Sequence, residues 1–423
     1  MSQLGTLYQF EMKKILKRKM TWNAFVGVVL VMLFCCLEAL MNNYVIADAQ
    51  TGESVRYSAY ERVMDRQARA ERWNGRVIDD TLLQEMQAAY AGVQTWEQEE
   101  VTDNTVVISS TFGIMKVPDD EAEAERLSQL RGQYEAIYNY VKGIVGGEDV
   151  HTVDAASFYG KRQQMVTDYE QSLYLTEGEK EYWRRHEAQT PYAYYWDMGP
   201  SMMLSSFNAL LLFTTLMIGM VLSGVFADEH MRRTDQLVLC SRHGRGTLYL
   251  AKLLAAVTLA TVGTLLVGGI TFLTFGLLYG YAENWSAPIQ IYLESSPFAL
   301  TQGEGIVILM VLALLAAVLH CILTLVLSSW TRSGVAVISL MVVYVMGTML
   351  VHVPERLRPL SQGLYLLPAK LVSDRAFYDA RLVGGAGHYL TCWQAGMLLY
   401  PLLALGLALL GGRIYRRWQI SGR

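Results

Sequence analysis

Two apolar runs of membrane-spanning length, separated by a short charged segment, constrain this chain more than any other feature. The first run ends at about Ala227 and the second begins at about Leu248. An α-helix of about 20 residues crosses the roughly 30 Å hydrocarbon layer of a bilayer, so each run predicts a transmembrane helix. The segment between them, residues 228–247, is too short and too charged to form a core of its own. We therefore predict that it is a solvent-facing link that contacts another molecule.

The rest of the chain also has the composition of a membrane protein. Of its 423 residues, 52% are hydrophobic and only 17% are charged, whereas about 25% of the residues of a soluble domain are charged. Apolar runs predict six transmembrane helices, at about residues 21–41, 201–227, 248–279, 304–328, 334–353 and 391–411. The predicted fold class is an α-helical integral membrane protein.

Basic residues predict how these helices are oriented. With the amino terminus inside, the inner segments hold 15 of the 35 Lys and Arg residues, and the two short outer loops hold five. This bias follows the positive-inside rule, so we predict that both termini are cytoplasmic, with a basic tail at residues 413–423. Residues 1–20 predict an amphipathic helix on the inner membrane surface. The alternative is a basic flank that only orients the first span.

Residues 42–200 predict a separate domain outside the membrane, between the first and second spans. They contain no run long enough to span a bilayer and no cysteine for a disulfide framework. Apolar periodicity predicts helices around residues 82–93 and 119–147, and a capping box predicts a helix start at residues 176–179. Residues 101–117 predict strand or loop. The domain is thus mainly helical, and its many aromatic residues either bind a ligand or fill its core.

Prolines and one histidine mark three places in the carboxyl-terminal half. Residues 354–391 contain three prolines and an apolar run too short to cross a bilayer, which predicts a re-entrant segment between the fifth and sixth spans. Pro401 predicts a kink in the sixth span. His320 lies in the fourth span, where we predict a hydrogen-bonded packing role; the alternative is a ligand or proton carrier.

The link and its flanks resemble a known family. An acidic residue past a membrane helix is followed by Thr-Asp, Leu-Val-Leu, Ser-Arg-x-Gly-Arg and a Lys in the next helix. The matching residues are Phe226, Ala227, Glu229, Thr234, Asp235, Leu237, Leu239, Ser241, Gly244, Arg245, Ala251 and Lys252. This pattern resembles the membrane subunit of a type-2 ATP-binding-cassette exporter, in the branch with a large external domain. Arg233 departs from the pattern, which usually has Gly there.

The resemblance implies a set of partners. Two permease subunits, identical or paralogous, would face each other, with two separate ATPase subunits bound below. ATP and Mg would be held by those ATPases, because this chain has no G-x-x-x-x-G-K-[ST] phosphate loop. We therefore predict a transport subunit that is not an enzyme, has no cofactor of its own, contacts membrane lipids and binds no nucleic acid.

The mixed charge of the link predicts that it transmits the ATPase movement, because acidic residues contribute little to topology. The alternative is that its arginines only fix the orientation. The predicted coupling residues are Glu229, Arg232, Arg233, Thr234, Asp235, Arg242, Arg245 and Lys252.

The resemblance also implies a transport path lined by the second and fifth spans. The candidate lining residues are Asn208, Thr214, Thr215, Ser223, Ser339, Tyr344 and Thr348. None of them is charged, which favours an amphipathic, peptide or lipid-like cargo. The alternative function is a membrane-anchored sensor, or a self-protection complex against antimicrobial peptides, whose outer domain binds a ligand.

Overall fold

A computed structural model of the chain describes residues 3–41, 44–47, 54–57, 59–90, 121–146, 150–186, 192–231, 246–280, 284–331, 333–385 and 387–416. These residues are mostly helical. In chain order the helices are α1 (Gln3–Leu16), α2 (Lys19–Met41), α3 (Ala59–Ala70), α4 (Asp80–Ala89), α5 (Glu121–Val145), α6 (Ala155–Ser172), α7 (Glu177–His186), α8 (Met198–Leu222), α9 (Gly224–Met231), α10 (Thr247–Tyr279), α11 (Gln302–Thr331), α12 (Gly334–Leu350), α13 (Arg358–Tyr365), α14 (Pro368–Leu371) and α15 (Cys392–Arg416).

Five helical segments of the described chain are long and apolar enough to cross a membrane. They are Lys19–Leu37, Met198–Glu229, Thr247–Tyr279, Gln302–Thr331 and Cys392–Arg416. These segments confirm a helical, multi-pass membrane protein, with helix ends close to those predicted. The remaining predicted span, the fifth at residues 334–353, corresponds to α12, which is apolar but has only 17 residues. Its length of roughly 25 Å is less than the hydrocarbon layer.

Short antiparallel strand pairs join parts of the chain outside these helices. They are β1 (Tyr44–Ala47) with β2 (Ser54–Tyr57), β3 (Arg76–Val77) with β4 (Ala193–Tyr194), and β5 (Leu382–Gly385) with β6 (His388–Thr391). Gly384 has φ +134°, and a Cβ there would lie 2.2 Å from the carbonyl oxygen of His388. Only glycine therefore fits this position in the last hairpin.

Helix α11 is the centre of the membrane bundle and packs against α8, α10, α12 and α15. Ala313, Ala316 and Ala317 of α11 are completely buried. Small side chains allow helix backbones to approach closely, which is the main source of packing energy where lipid already surrounds apolar groups. The α11 sequence therefore fits a central position.

We call residues 44–194 the insertion, and its described parts include a second core of buried apolar residues. Its largest helix, α5, buries Ile137, Val141 and Ile144, as the predicted stripe requires. Tyr140 and Tyr192 are joined by a hydrogen bond of 2.7 Å between their hydroxyl groups, and both pack with other buried aromatic rings. These tyrosines fill the core, which was one of the two predicted roles of the aromatic residues.

Some elements of the insertion were not predicted. Helices α3 and α6 are absent from the sequence prediction, and in α6 the reason is Arg162, which is fully buried between Phe158 and Val166. A charged residue in the buried stripe hides the apolar period of the helix. The segment 101–117, predicted as strand or loop, lies outside the described residues.

The insertion is fixed to the loops at one end of the bundle. The Nε1–H of Trp183 donates to the carbonyl oxygen of Ala380 at 2.6 Å, and Nη2 of Arg162 donates to that of Ser296 at 2.8 Å. We call this the insertion end. The opposite end, where α9 ends and α10 begins, is the link end.

The segment between α12 and α15 holds two short helices and the last hairpin. All four residues of α14 are buried, and α14 packs against α8, α12 and α15. Arg381, also buried, is held by both carboxylate oxygens of Asp379 at 2.8 and 2.6 Å and by Glu355 at 2.6 Å. The segment is therefore firmly packed. Its predicted re-entrance into the membrane stays a prediction, as does the kink at Pro401, which lies inside α15.

Candidate functional site

The link end carries a cluster of buried charges that joins α1, α9 and α10. Lys252 lies in the second turn of α10, and its side chain is completely buried. Its Nζ is 2.7 Å from Oε1 of Glu229, 3.2 Å from Oε2 of Glu11, and 3.3 Å from the carbonyl oxygen of Val225. Two carboxylates from two different helices therefore share one ammonium group.

A second lysine completes this cluster. The Nζ of Lys14 is 2.5 Å from Oε1 of Glu229 and 3.9 Å from Oε2 of Glu11. The side chains of Glu11 and Glu229 are only 4% and 11% exposed, whereas that of Lys14 is 31% exposed. We call Glu11, Lys14, Glu229 and Lys252 the charge network. It contains two negative and two positive side chains, so its formal charges cancel.

Electrical balance is what permits these charges to be buried. An isolated ion loses several kcal/mol or more when it leaves water, and only well-placed opposite charges and hydrogen bonds compensate that loss. Here each carboxylate faces both ammonium groups. The network therefore holds three helices in one arrangement, and a displacement of any of them would expose an uncompensated charge.

The path of the chain brings these residues together. The second apolar segment breaks at Ser223 and continues as α9, which ends with Glu229 in its last turn. Asp228 of α9 forms an ion pair with Arg18, 3.1 Å from Nη2 to Oδ2. Arg18 lies in the turn between α1 and α2. The start of the first span is thus also attached to the end of the second.

The turn between α1 and α2 is fixed by two side chains of α2 that donate to carbonyl groups at the end of α1. The hydroxyl group of Thr21 donates to the carbonyl oxygen of Ile15 at 2.8 Å, and the indole N–H of Trp22 donates to that of Leu16 at 2.9 Å. These bonds satisfy carbonyl groups that a helix end leaves unpaired. Helix α1 also packs against α10, where the hydroxyl group of Tyr8 donates to that of Thr258.

Comparison with known protein families shows which family the chain belongs to. Residues 6–363 match the family described as ABC-2 family transporter protein, which includes every residue of the charge network. The chain belongs to this family. Neither a curated protein nor a solved structure matched the sequence. Members of the ABC-2 transporter family are transport subunits that are not themselves catalytic, and they normally work with ATPase subunits.

Of the coupling residues predicted for this ABC-2 transporter protein, the structure brings Glu229 and Lys252 into direct contact. The other six lie outside the described residues, and their role stays a prediction: Arg232, Arg233, Thr234, Asp235, Arg242 and Arg245. Glu229 and Lys252 are at the two ends of the link. Their contact therefore holds together the two helices that flank the link.

Sequence reasoning missed Glu11 and Lys14 as members of the site. A signal was available: Glu11 is the only acidic residue among the first 20 and is placed among the apolar positions Tyr8, Met12 and Ile15. An acidic residue on the apolar side of an amphipathic helix needs a buried cation. Part of this side packs on α10 rather than on the membrane surface.

The predicted path-lining residues lie on α8, at the break that follows it, and on α12. Thr214, Thr215 and Ser223 are buried among helices of the same chain. Ser339 of α12 is exposed, whereas Asn208, Tyr344 and Thr348 are half-buried. Whether these residues line a path stays a prediction.

Two of these residues meet around His320 of α11. The hydroxyl group of Thr215 is 2.8 Å from Nδ1 of His320, and the ring centroid of Tyr344 is 5.6 Å from that of His320. The hydrogen bond predicted for His320 is therefore present at Nδ1, whereas Nε2 has no partner among the described residues. His320 also connects α8 and α12, the two helices predicted to line the path, through the central helix.

Proposed function

We propose that this chain is the permease subunit of an ATP-binding-cassette exporter. Two such subunits, identical or paralogous, face each other, and two ATPase subunits that hold ATP and Mg²⁺ bind at the link end. The link end faces the cytoplasm of a bacterial cell, and the insertion lies outside. The charge network carries the proposal, because it fixes both ends of the link to α1 in a chain whose family works with ATPase subunits.

The proposed mechanism uses the link as a lever. The ATPases approach each other when they bind ATP and separate when they release products. Because Glu229 and Lys252 are held together, the link and the ends of α9 and α10 move as one piece, and Glu11 and Lys14 add α1 to it. The movement reaches α10 directly and reaches α8 across the break at Ser223.

The proposed orientation and span number follow from charge and hydropathy. The excess of Lys and Arg at the link end favours a cytoplasmic position for both termini. Helix α12 is then a full crossing, the fifth of six, since an even number of crossings returns the carboxyl terminus to the side of the amino terminus. Its short length is accommodated by local thinning of the bilayer, at modest cost.

The cargo we propose is amphipathic, a peptide or a lipid-like molecule. The polar side chains of α8 and α12 predicted to line the path are hydroxyl and amide groups without charge, on otherwise apolar helices. Such a surface offers hydrogen bonds but no counter-ion for a small charged solute.

The first experiment is affinity purification of the protein from its native cell in mild detergent, followed by mass spectrometry. We expect an ATPase with a phosphate-loop motif in stoichiometric amount. Its reproducible absence, with the complex shown to survive the detergent, would favour the sensor alternative instead.

The second experiment tests the lever in that complex. We expect Glu229→Gln and Arg245→Ala to insert normally and to lower ATP turnover, or its coupling to transport, several-fold. Glu304→Gln is the matched control, because Glu304 caps the start of α11 at the insertion end. Wild-type turnover in both link variants would contradict the proposed coupling role.

A further inference from the structure

An apolar cavity of about 250 Å³ lies beside the charge network, between α1, α2, α8 and α10. Residues from all four helices line it, among them Leu16, Trp22, Phe25, Val221 and Leu266. Trp22 is 56% exposed and Leu266 is 50% exposed. The cavity therefore opens sideways, towards the surface that the membrane surrounds.

The lining favours hydrocarbon over water as the occupant. Its two hydroxyl groups already donate within the protein, that of Thr21 to Ile15 and that of Thr258 to Leu254 at 2.9 Å. A buried water needs two or more polar partners, which this lining does not offer among the described residues. An empty cavity would forfeit the dispersion contacts of its walls. A chain of methylene groups from the membrane restores them.

Two lysines lie next to this cavity at the link end. Lys17 follows the lining residue Leu16, and Lys19 precedes Trp22 by one helical turn on the same face of α2. Both are exposed. Across the ranges that the structure describes, neither forms an ion pair, whereas their neighbours Lys14 and Arg18 do. Two positive charges that have no ion pair within the described part of the chain are therefore close in sequence to residues that line the cavity.

We propose that this cavity binds one anionic phospholipid from the leaflet at the link end. An acyl chain enters between α1, α2, α8 and α10, and Lys17 and Lys19 hold the phosphate group. Positively charged residues at a membrane surface attract anionic headgroups. The combination of a shaped apolar cavity and two exposed lysines beside it gives selectivity that general contact with lipid does not.

Lipid binding at this site also deepens the proposed coupling role, and this part rests on the proposed function. Helices α1 and α10 form both the walls of the cavity and the charge network. An acyl chain between them therefore stabilises the arrangement through which the ATPase movement enters the membrane.

The test is native mass spectrometry of the full-length protein in detergent with added phosphatidylglycerol or phosphatidylcholine of identical acyl chains. We expect the wild type to retain phosphatidylglycerol several-fold more than phosphatidylcholine. Lys17→Gln with Lys19→Gln should abolish this preference, and Leu266→Trp, which fills the cavity, should lower retention several-fold.

Matched controls separate the site from general effects of charge and size. Arg413→Gln with Arg416→Gln removes two exposed cations from the end of α15, and Leu273→Trp enlarges an exposed residue on the same face of α10, two turns away. Both should behave as wild type. Each variant must elute as wild type does in size-exclusion chromatography.

Three results would overturn the proposal. They are equal retention of both lipids by the wild type, an unchanged preference in the double lysine variant, or unchanged retention in Leu266→Trp. The measurement uses no ATPase. Failure of lipid binding would therefore leave the exporter proposal intact, and failure to find an ATPase would leave the lipid site intact.

Discussion

Lys252 is a buried charge whose stability depends on the groups around it. Its ammonium group is buried near the end of a membrane helix and touches carboxylates from α1 and α9. Its Nζ also lies 5.2 Å from the centre of the Phe226 ring, a distance that permits a cation–π interaction. The ion pairs are close enough to offset much of the desolvation of the three groups.

We expect Lys252→Met to destabilise the protein by about 3–5 kcal/mol, the usual cost of removing one partner from a buried ion pair. The loss leaves Glu11 and Glu229 buried with only Lys14 to balance them. Unfolding of the detergent-solubilised protein by heat or denaturant measures the effect. Lys13→Met is the control, because Lys13 is exposed on α1, and its effect should be within about 0.5 kcal/mol.

A double variant distinguishes charge imbalance from lost packing. Lys252→Met with Glu229→Gln leaves Glu11 and Lys14, which balance each other. We expect this double variant to be more stable than Lys252→Met alone. If it is less stable by the sum of both single effects, charge balance is not what holds the network together.

At the scale of elements, the break between α8 and α9 is stabilised by a neighbouring helix. The hydroxyl group of Ser328 in α11 donates to the carbonyl oxygen of Ser223 at 2.6 Å and accepts from the N–H of Phe226 at 3.3 Å. A break inside an apolar segment frees backbone groups that lipid cannot satisfy. One serine therefore makes the interruption possible where the link begins.

Ser328→Ala should destabilise the protein by about 1–3 kcal/mol, the cost of buried backbone groups that lose their partners. Ser329→Ala is a closely matched control, because Ser329 is also buried but donates to the carbonyl oxygen of Val326 within its own helix. Denaturant unfolding of the two variants gives the comparison. Equal stabilities would show that the break does not depend on Ser328.

At the scale of the whole molecule, Glu179 joins the insertion to the segment between α12 and α15. Its carboxylate accepts hydrogen bonds from the N–H of Leu382 at 2.8 Å, from the backbone and hydroxyl groups of Thr176, and from Arg358. Burial opposes ionisation, but the bonds from Arg358, Leu382 and Thr176 outweigh it and hold the pKa of Glu179 below its usual range. The insertion is thus anchored by an ionised group.

This anchor should weaken in acid. A lowered pKa in the folded state means that the stabilisation is complete above the ordinary pKa of a glutamate, about 4.5, and is lost as the pH falls through the lower folded value. We expect Glu179→Gln to be less stable than wild type by about 1.5–3 kcal/mol at pH 7, as for hydrogen bonds to a charged group. The difference should shrink below about pH 4.5. Unfolding midpoints of both proteins between pH 3.5 and 8 test this.

The control for this titration is Glu181→Gln. Glu181 lies two residues further along α7 and pairs with Arg184 and Arg185 of its own helix. It makes no contact with the other end of the anchor among the residues that the structure describes. Its replacement should change stability little at any pH, and a constant difference for Glu179→Gln down to pH 3.5 would contradict the anchor.

Local signals in the sequence predicted much of this architecture. The apolar runs predicted the membrane helices to within a few residues, because each run must be as long as the bilayer is thick. The capping box at Thr176 and Glu179 formed as predicted, since it joins residues only three apart. The same Thr-x-x-Glu/Gln signal at Thr301 and Thr391 starts α11 and α15 and was available in the sequence.

The sequence by itself determined that this is a helical membrane protein, which family it belongs to and where its charged link lies. These features are visible in the sequence because hydropathy and residue spacing are local signals, each contained within one helix or one short segment. Only the tertiary structure decided which charges meet. Glu11 and Lys252 are 241 positions apart in the sequence. They come into contact only because α1 packs on α10. The residue types at both positions showed only that each required a partner. The choice of partner depends on helix packing, which brings opposite charges together where water is excluded.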